Sequence, residues 1–303
     1  MNSRAILWVG LLCLVGGWPL VSNAQPLYFG SWGVSWPAGL ALDEAGVLYV
    51  TSSSSGGGGH DGTLRTYTRD GALLRTVATG MNFPWGIAVA SDGTMYVAEY
   101  LEGRVVILSP QGIVTGIIGP LSGPRYVILS RDGCLFVTDW SGILKFTTSG
   151  VFVSQWTIGG PSANLYGVVE DAQGNVYAAD WENNCVWKCN ATGVVVKQWG
   201  TFGSAPGQFW HPGGLAIDPE GRLYVSDGSN CRIQRFTLDG QFLDAFGSQG
   251  SGPGQLSATA GVVSGPWGET FVADRDNQRV CKFVDVATPT ESTSWGRIKA
   301  LYR

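Results

Sequence analysis

Histidine is nearly missing from this sequence: 303 residues hold two, His60 and His211. A metal site built from three histidines is therefore excluded, while two histidines with a carboxylate stay open. Charge is sparse as well. Asp, Glu, Lys and Arg make up 14% of the chain, the net charge is −4, and Lys and Arg nowhere cluster. Nucleic-acid binders present a basic face, so a phosphate-backbone ligand is excluded. No Walker-type loop, dinucleotide fingerprint or nucleophile-elbow motif occurs. No two cysteines stand in a C-x-x-C pair, which argues against a zinc knuckle.

Long apolar runs are confined to the first residues. Arg4 gives a positive start, Ala5 to Val21 is mostly apolar, and Ser22-Asn23-Ala24 offers small residues for cleavage. Residues 1–24 therefore read as a secretory signal peptide cut before Gln25. Pro19 and the Gly16-Gly17 pair interrupt a run already short for a membrane span. The expectation is an extracytoplasmic protein, secreted or periplasmic, with no span once the signal is removed. Cys134, Cys185, Cys189, Cys231 and Cys281 remain, an odd number. An oxidising compartment allows two disulfides and one leftover thiol. Cys185 and Cys189 cannot bridge along one strand, because four residues span about 13 Å. Most of the five are expected as small buried core residues.

Glycine and turn signals are abundant, and they recur with a period. In residues 205–252 four strand-like runs, Gly213 to Ile217, Arg222 to Ser226, Arg232 to Phe236 and Gln241 to Phe246, are split by turn residues such as Asp239-Gly240. Glycine takes positive φ cheaply, so these separators are turns for a steric reason. The aromatic of the second run recurs as Tyr49, Tyr96, Phe136, Tyr177, Tyr224 and Phe271, at gaps of 47, 40, 41, 47 and 47 residues. The text around it repeats: GVLYVTS, GTMYVAE, GCLFVTD, GNVYAAD, GRLYVSD, GETFVAD. A period in the forties with four strands per unit is the pattern of a β-propeller. The predicted fold is all-β, with six four-stranded antiparallel blades in one closed domain over 25–296. The blades fall near 34–80, 81–119, 120–160, 161–204, 205–252 and 253–296. Residues 25–33 resemble the end of a fourth strand and can close the ring, with Ser292 to Gly296 competing for that place. Residues 297–303 form a tail.

These units resemble NHL repeats, whose pattern is roughly P-x-G-I-A-V-D-x-x-G-N-V-Y-V-A-D-x-x-N-x-R-I-Q-x-F. The resemblance covers nearly the whole chain after residue 24 and is tightest at 205–283. It implies a propeller; one fold hosts many functions, so it does not by itself name one. Similar propellers include peptidyl-hydroxyglycine lyases, which need three histidines on zinc, and gluconolactonase-like enzymes, which hold a metal with acidic ligands at the pore mouth. Streptogramin lyases need a histidine base on that face, for which His211 is the candidate. Non-enzymatic relatives bind proteins, peptides or nucleic acids.

Six copies in one chain permit an internal comparison. Positions repeated in every blade serve the blade; positions that differ are free for something else. The acids ending the second strands, Glu99, Asp139, Asp180, Asp227 and Asp274, repeat and should accept backbone N–H bonds in the following turn. Arg104, Arg232 and Arg279 recur in the same way. The variable positions lie on the linking loops before the first strands (Ala38, Trp85, Arg125, Tyr166, Gly213, Ala260) and just after the acids (Ser53, Tyr100, Trp140, Trp181, Gly228, Arg275). None of the six entrance positions is acidic. Both sets emerge on one face of the disc, because strands alternate in direction. Blades two to four thus bring Trp85, Tyr100, Arg125, Trp140, Tyr166 and Trp181 together, with a dip expected between Trp140 and Trp181 because the Asp139–Gly142 loop is short.

Exposed aromatics with one cation suggest a binding surface for an extracytoplasmic glycan, peptide or protein. The competing account is that the rings roof the blade junctions. The expectation is a monomeric binding module without cofactor or metal. The alternative is a lyase or hydrolase using His211 and, less directly, His60. A long Ser/Gly run at 52–59, next to His60, predicts a flexible loop in blade one, and Asn190-Ala191-Thr192 forms a glycosylation sequon at a hairpin tip.

Overall fold

Short apolar runs between Gly-containing turns produce short strands throughout, buried in the inner part of each blade and exposed in the outer strands. The computed structural model describes residues 25–53 and 60–285. The expected signal peptide, the Ser/Gly run at 54–59 and the tail, with the competing segment Ser292 to Gly296, lie outside the described residues. The chain opens with β1 (Leu27–Gly33). Blade one is β2 (Pro37–Leu42), β3 (Leu48–Ser52), β4 (Gly62–Tyr67) and β5 (Leu73–Met81). Blade two is β6 (Pro84–Val89), β7 (Met95–Glu99), β8 (Arg104–Leu108) and β9 (Val114–Ile118). Blade three is β10 (Tyr126–Leu129), β11 (Cys134–Asp139), β12 (Gly142–Thr147) and β13 (Phe152–Trp156). Blade four is β14 (Leu165–Glu170), β15 (Val176–Asp180), β16 (Cys185–Cys189) and β17 (Val195–Trp199). Blade five is β18 (Pro212–Ile217), β19 (Arg222–Asp227), β20 (Arg232–Thr237) and β21 (Phe242–Phe246). Blade six has β22 (Thr259–Ser264), β23 (Glu269–Asp274) and β24 (Arg279–Val284).

Each blade is a four-stranded antiparallel sheet in chain order, except the sixth. Its outer strand is β1, paired antiparallel with β24 so that Trp32 faces Val280 and Leu27 faces Val284. The first described strand therefore shuts the ring, and six sheets form a closed six-bladed β-propeller. The repeated second-strand aromatics Tyr49, Tyr96, Phe136, Tyr177, Tyr224 and Phe271 are all buried between blades. The inner strands β2, β6, β10, β14, β18 and β22 line a central channel with a cavity of about 290 Å³. Its walls are apolar side chains such as Leu40, Ile87, Val127, Val168, Leu215 and Val262.

One glycine in five of the six inner strands sets how closely neighbouring blades approach. A Cβ on Gly39 would sit 2.1 Å from the Trp85 carbonyl oxygen, and one on Gly86 2.5 Å from the Tyr126 Cα. Gly167, Gly214 and Gly261 meet the next inner strand in the same way, at 2.6, 2.6 and 2.4 Å. Real Cβ atoms do not come that close, so five junctions require glycine for backbone approach. Blade three breaks the rule: Tyr126 stands at the corresponding place. β10 and β14 meet over a shorter stretch than the other neighbouring inner strands.

The repeated acids have a structural role wider than expected. They accept mainly from the loop entering their own blade, not only from the turn that follows. Asn82 N donates to Glu99 (2.9 Å), Ser122 N to Asp139 (3.1 Å), Asn164 N to Asp180 (3.1 Å), Trp210 N to Asp227 (2.8 Å) and Ser257 N to Asp274 (2.6 Å). Asp139 and Asp180 also accept from Ser141 N and Asn183 N in the following turn. Arg104, Arg232 and Arg279 pair with the acid of their blade at 2.6, 2.8 and 2.7 Å. Each acid thus ties the entry of a blade to its second hairpin. All five described cysteines are free thiols; four are buried and Cys134 is half-buried. Burial pushes the Cys185 and Cys281 thiols up to about 12 and Cys189 up to about 11, so these are inert packing groups.

Candidate functional site

Five of the six entrance positions do not sit on the linking loops. Ala38, Trp85, Tyr166, Gly213 and Ala260 are the second residues of their inner strands, and Arg125 directly precedes β10. In β2, β6, β14, β18 and β22 the pairing register breaks just after the first residue. Such a bulge lifts the second residue out of the ladder and re-aims its side chain. The residues preceding these strands, Trp36, Phe83, His211 and Ala258, take left-handed φ of 45°, 54°, 57° and 48°. Hydroxyls then pin the blades to one another: Thr51 Oγ1 donates to the Trp85 carbonyl (2.5 Å) and Thr138 Oγ1 to that of Tyr166 (2.6 Å).

On blades two to four these devices bring all six singled-out residues into one cluster. Arg125 is its centre. Its guanidinium carbon lies 3.9 Å from the centroid of the Tyr166 ring, 4.8 Å from Trp140, 4.9 Å from Tyr100 and 6.0 Å from Trp85. Tyr166 stacks on Trp181 at 4.5 Å, and Trp181 stacks on His211 at 4.5 Å with planes 4° apart. Trp140, Arg125, Tyr166, Trp181 and His211 therefore form one continuous row across blades three to five, flanked by Tyr100 and Trp85 from blade two.

Two expectations need correction. The first was a surface of exposed aromatics with one exposed cation. Arg125 is only 4% exposed, Trp85 and Tyr166 are buried, Tyr100 and Trp181 are half-buried, and only Trp140, at 51%, stands well into solvent. For Trp85 and Tyr166 the bulge re-aims the second residue of the strand; Arg125 is covered by the rings of Tyr100, Trp140 and Tyr166. The second was a dip between Trp140 and Trp181; Arg125 and Tyr166 occupy the space between them.

The electrostatics of Arg125 are unusual. Burial pushes its pKa down, with the Tyr166 and Tyr100 hydroxyls acting in the opposite sense. Among the described residues no carboxylate lies within ion-pair distance of it, and its Nε has no hydrogen-bond partner. Trp85 Nε1 and the Tyr126 hydroxyl, both buried, are also unpartnered. Burial raises the Tyr126 hydroxyl pKa well above its usual range, so that group is a neutral O–H.

The two histidines are differently placed. His211 belongs to the row, and its Nδ1 is 3.0 Å from Ser229 Oγ. His60 is 68% exposed, with Nε2 3.9 Å from a Glu102 oxygen. Among the described residues no three His, Cys, Asp or Glu side chains are grouped so as to hold a metal, and no helix is long and apolar enough to cross a membrane.

Sequence reasoning missed Tyr126 and the place of His211 in the row. Tyr126 could have been found as the single break in the glycine column Gly39, Gly86, Gly167, Gly214, Gly261. Nothing in the sequence places His211 against Trp181, because the two residues belong to different blades.

Comparison with known proteins agrees with this architecture. The NHL repeat model matches residues 209–236, in blade five. No curated protein matches the sequence. Among solved structures, virginiamycin B lyase from Staphylococcus aureus superposes with a TM-score of 0.62 at 13% identity, over 85% of this chain and 99% of the lyase. A catalytically inactive histidine-to-alanine variant of that lyase with quinupristin gives 0.60 at 15% identity, over 86% and 99%. An auxiliary nutrient binding protein from Bacteroides thetaiotaomicron gives 0.69 at 14%, over 83% of this chain and 69% of that one. At such identities these likenesses speak for the fold alone. Repeat pattern, blade topology and family match converge: the chain is a six-bladed β-propeller that carries an NHL repeat at residues 209–236.

Proposed function

We propose that the protein is an extracytoplasmic binding module, secreted or periplasmic, that takes a glycan or peptide on the channel-mouth face of blades two to four. The observation that supports this is the continuous row of Trp140, Arg125, Tyr166, Trp181 and His211. Junction packing alone does not need Trp140, half of whose surface faces solvent. Aromatic faces stack on sugar rings and on peptide side chains, and rigid rings lose little entropy on doing so. The likeness to a nutrient binding protein is consistent with this reading.

The test is a glycan and peptide array on the protein lacking residues 1–24, run beside Trp140→Ala/Trp181→Ala. A hit that the folded double variant loses supports the site; a hit it retains overturns it.

A second reading has one observation in its favour. His211 ends the row with Nδ1 engaged by Ser229, which leaves Nε2 to act on a ligand lying along the rings. The same shape is found in a lyase that has a histidine-to-alanine inactive variant. Turnover of quinupristin that disappears in His211→Ala would establish a lyase; no turnover by the intact protein removes that reaction.

A further inference from the structure

Arg125 and Arg235 are the two arginines buried among the described residues. They are treated in opposite ways. Arg235 is gripped by Asp244 through both Nε and Nη2, and by Asp285 through Nη1 at 2.8 Å. Arg125 has rings on every side but no carboxylate in reach. Ring faces offset part of the cost of burying a guanidinium, yet they leave its Nε without an acceptor. Beside it, Trp85 Nε1 and the Tyr126 hydroxyl are two more buried groups without a partner. Trp85 Nε1 is a donor only, and the Tyr126 hydroxyl can donate. The cluster therefore holds a buried positive charge whose Nε lacks an acceptor, a combination that suits an anionic acceptor.

Resting on the binding reading above, we propose that the ligand carries a carboxylate on a ring-shaped body, as a uronic acid or an aromatic acid does, and that Arg125 receives this carboxylate. A carboxylate matches the planar guanidinium fork, which a single-point acceptor does not. Trp140 is the one well-exposed ring of the box, so the ring-shaped body stacks there while its acid group reaches inward past Trp140 to Arg125. Trp140 sits on the short Asp139–Gly142 connection, and Gly123 packs beneath it: a Cβ there would lie 2.7 Å from Trp140 Nε1.

The experiment is calorimetric titration of the protein with glucuronate and with phenylacetate. Their neutral counterparts, glucose and phenylacetamide, are run in parallel, on the wild type, Arg125→Lys, Arg125→Met and Trp140→Ala. Each variant is first checked for native circular dichroism. The expected result is that at least one acid binds about tenfold or more tighter than its neutral counterpart, the size of a charge-assisted hydrogen bond. Arg125→Met then loses that preference, and Arg125→Lys, which keeps charge but not the fork, retains only part of it. Preference for glucuronate identifies a sugar acid, and preference for phenylacetate an aromatic acid. Equal binding of acids and neutral counterparts overturns the proposal, as does an acid preference that survives in Arg125→Met. If neutral glycans or peptides bind and Trp140→Ala/Trp181→Ala abolishes that binding while Arg125→Met does not, the carboxylate assignment fails and the aromatic site stands. If neither acids nor array members bind, both fail.

Discussion

Arg235 and Arg125 are buried to similar depth, 1% and 4% exposed, on opposite terms. Around Arg235 the chain supplies its own counter-charges: Asp244, Asp285, and the nearby Arg222 that shares Asp285 and holds Asp218. This network joins blade five to the end of β24 and behaves as a structural rivet. Around Arg125 the chain supplies polarisable surface, no paired carboxylate, and no acceptor for Nε. A protein able to neutralise one buried guanidinium so completely does not lack the means to neutralise another. The difference separates a group that holds the fold together from one that faces a partner.

The largest effect that would break this contrast concerns Arg235. Asp244→Ala removes the carboxylate that grips both Nε and Nη2 of Arg235 and should cost about 3 kcal/mol, the lower end for removing one member of a buried pair. Urea unfolding monitored by tryptophan fluorescence measures it, and a loss well below 1 kcal/mol would mean that the network is no rivet. Next comes the blade junction. Gly39→Ala drives a Cβ into the Trp85 carbonyl and should cost about 2 kcal/mol, in the range of core overpacking. The same substitution at Gly133, where a Cβ meets nothing, isolates the steric part: it carries only the positive-φ penalty and should cost about 1 kcal/mol. Arg125→Met should lie within about 1 kcal/mol of wild type or above it, since replacing an unpaired buried ion by an apolar chain relieves its desolvation cost. A loss of about 3 kcal/mol there would make Arg125 structural like Arg235.

The smallest effect belongs to the exposed ion pair of Lys145 with Asp132. Hydrogen bonds from Lys145 and Ser130 hold the Asp132 carboxyl down to about 2. A depressed carboxyl pKa stabilises the fold above the unfolded value, about 4, and that contribution is lost as pH falls from there through about 2. Because Asp132 is more than half exposed, solvent screens most of it. Lys145→Met should return the Asp132 pKa toward its ordinary value in a carboxyl-detected NMR titration, with a hardly changed melting temperature.

The blade repeat was legible because it is written in local chemistry. A glycine turn before the second strand and one buried aromatic within it recur wherever a blade does, and each carries its own steric or hydrophobic cause. The acids were recognised as structural, but their partners were not: Trp210 N reaches Asp227 across a whole hairpin, a contact that exists only once the meander is folded. The candidate site was legible in membership and not in depth. That Trp85, Tyr100, Arg125, Trp140, Tyr166 and Trp181 converge follows from counting equivalent positions in the copies. That Arg125 is buried among the Tyr100, Trp140 and Tyr166 rings depends on contacts between blades, which have no signature in residue type. Tyr126 was legible in principle, as the one bulky residue in a column of glycines, and its consequence for the blade three–four junction was not.

The pairing of Leu27–Gly33 with Arg279–Val284 also sets an order of events during synthesis. Blades one to five can each complete as their fourth strand leaves the ribosome, using only neighbours in sequence. The sixth cannot: the earliest of its four strands is made some two hundred and fifty residues before the latest, and until then waits with both edges unpaired. An unpaired strand is a template for pairing with other chains, so the nascent protein carries its most association-prone element for almost the whole time it is being made. Once the clasp shuts, the same arrangement works in the opposite sense. No blade is terminal, and local fraying at either end of the described chain must first break the strand pair that completes the circle.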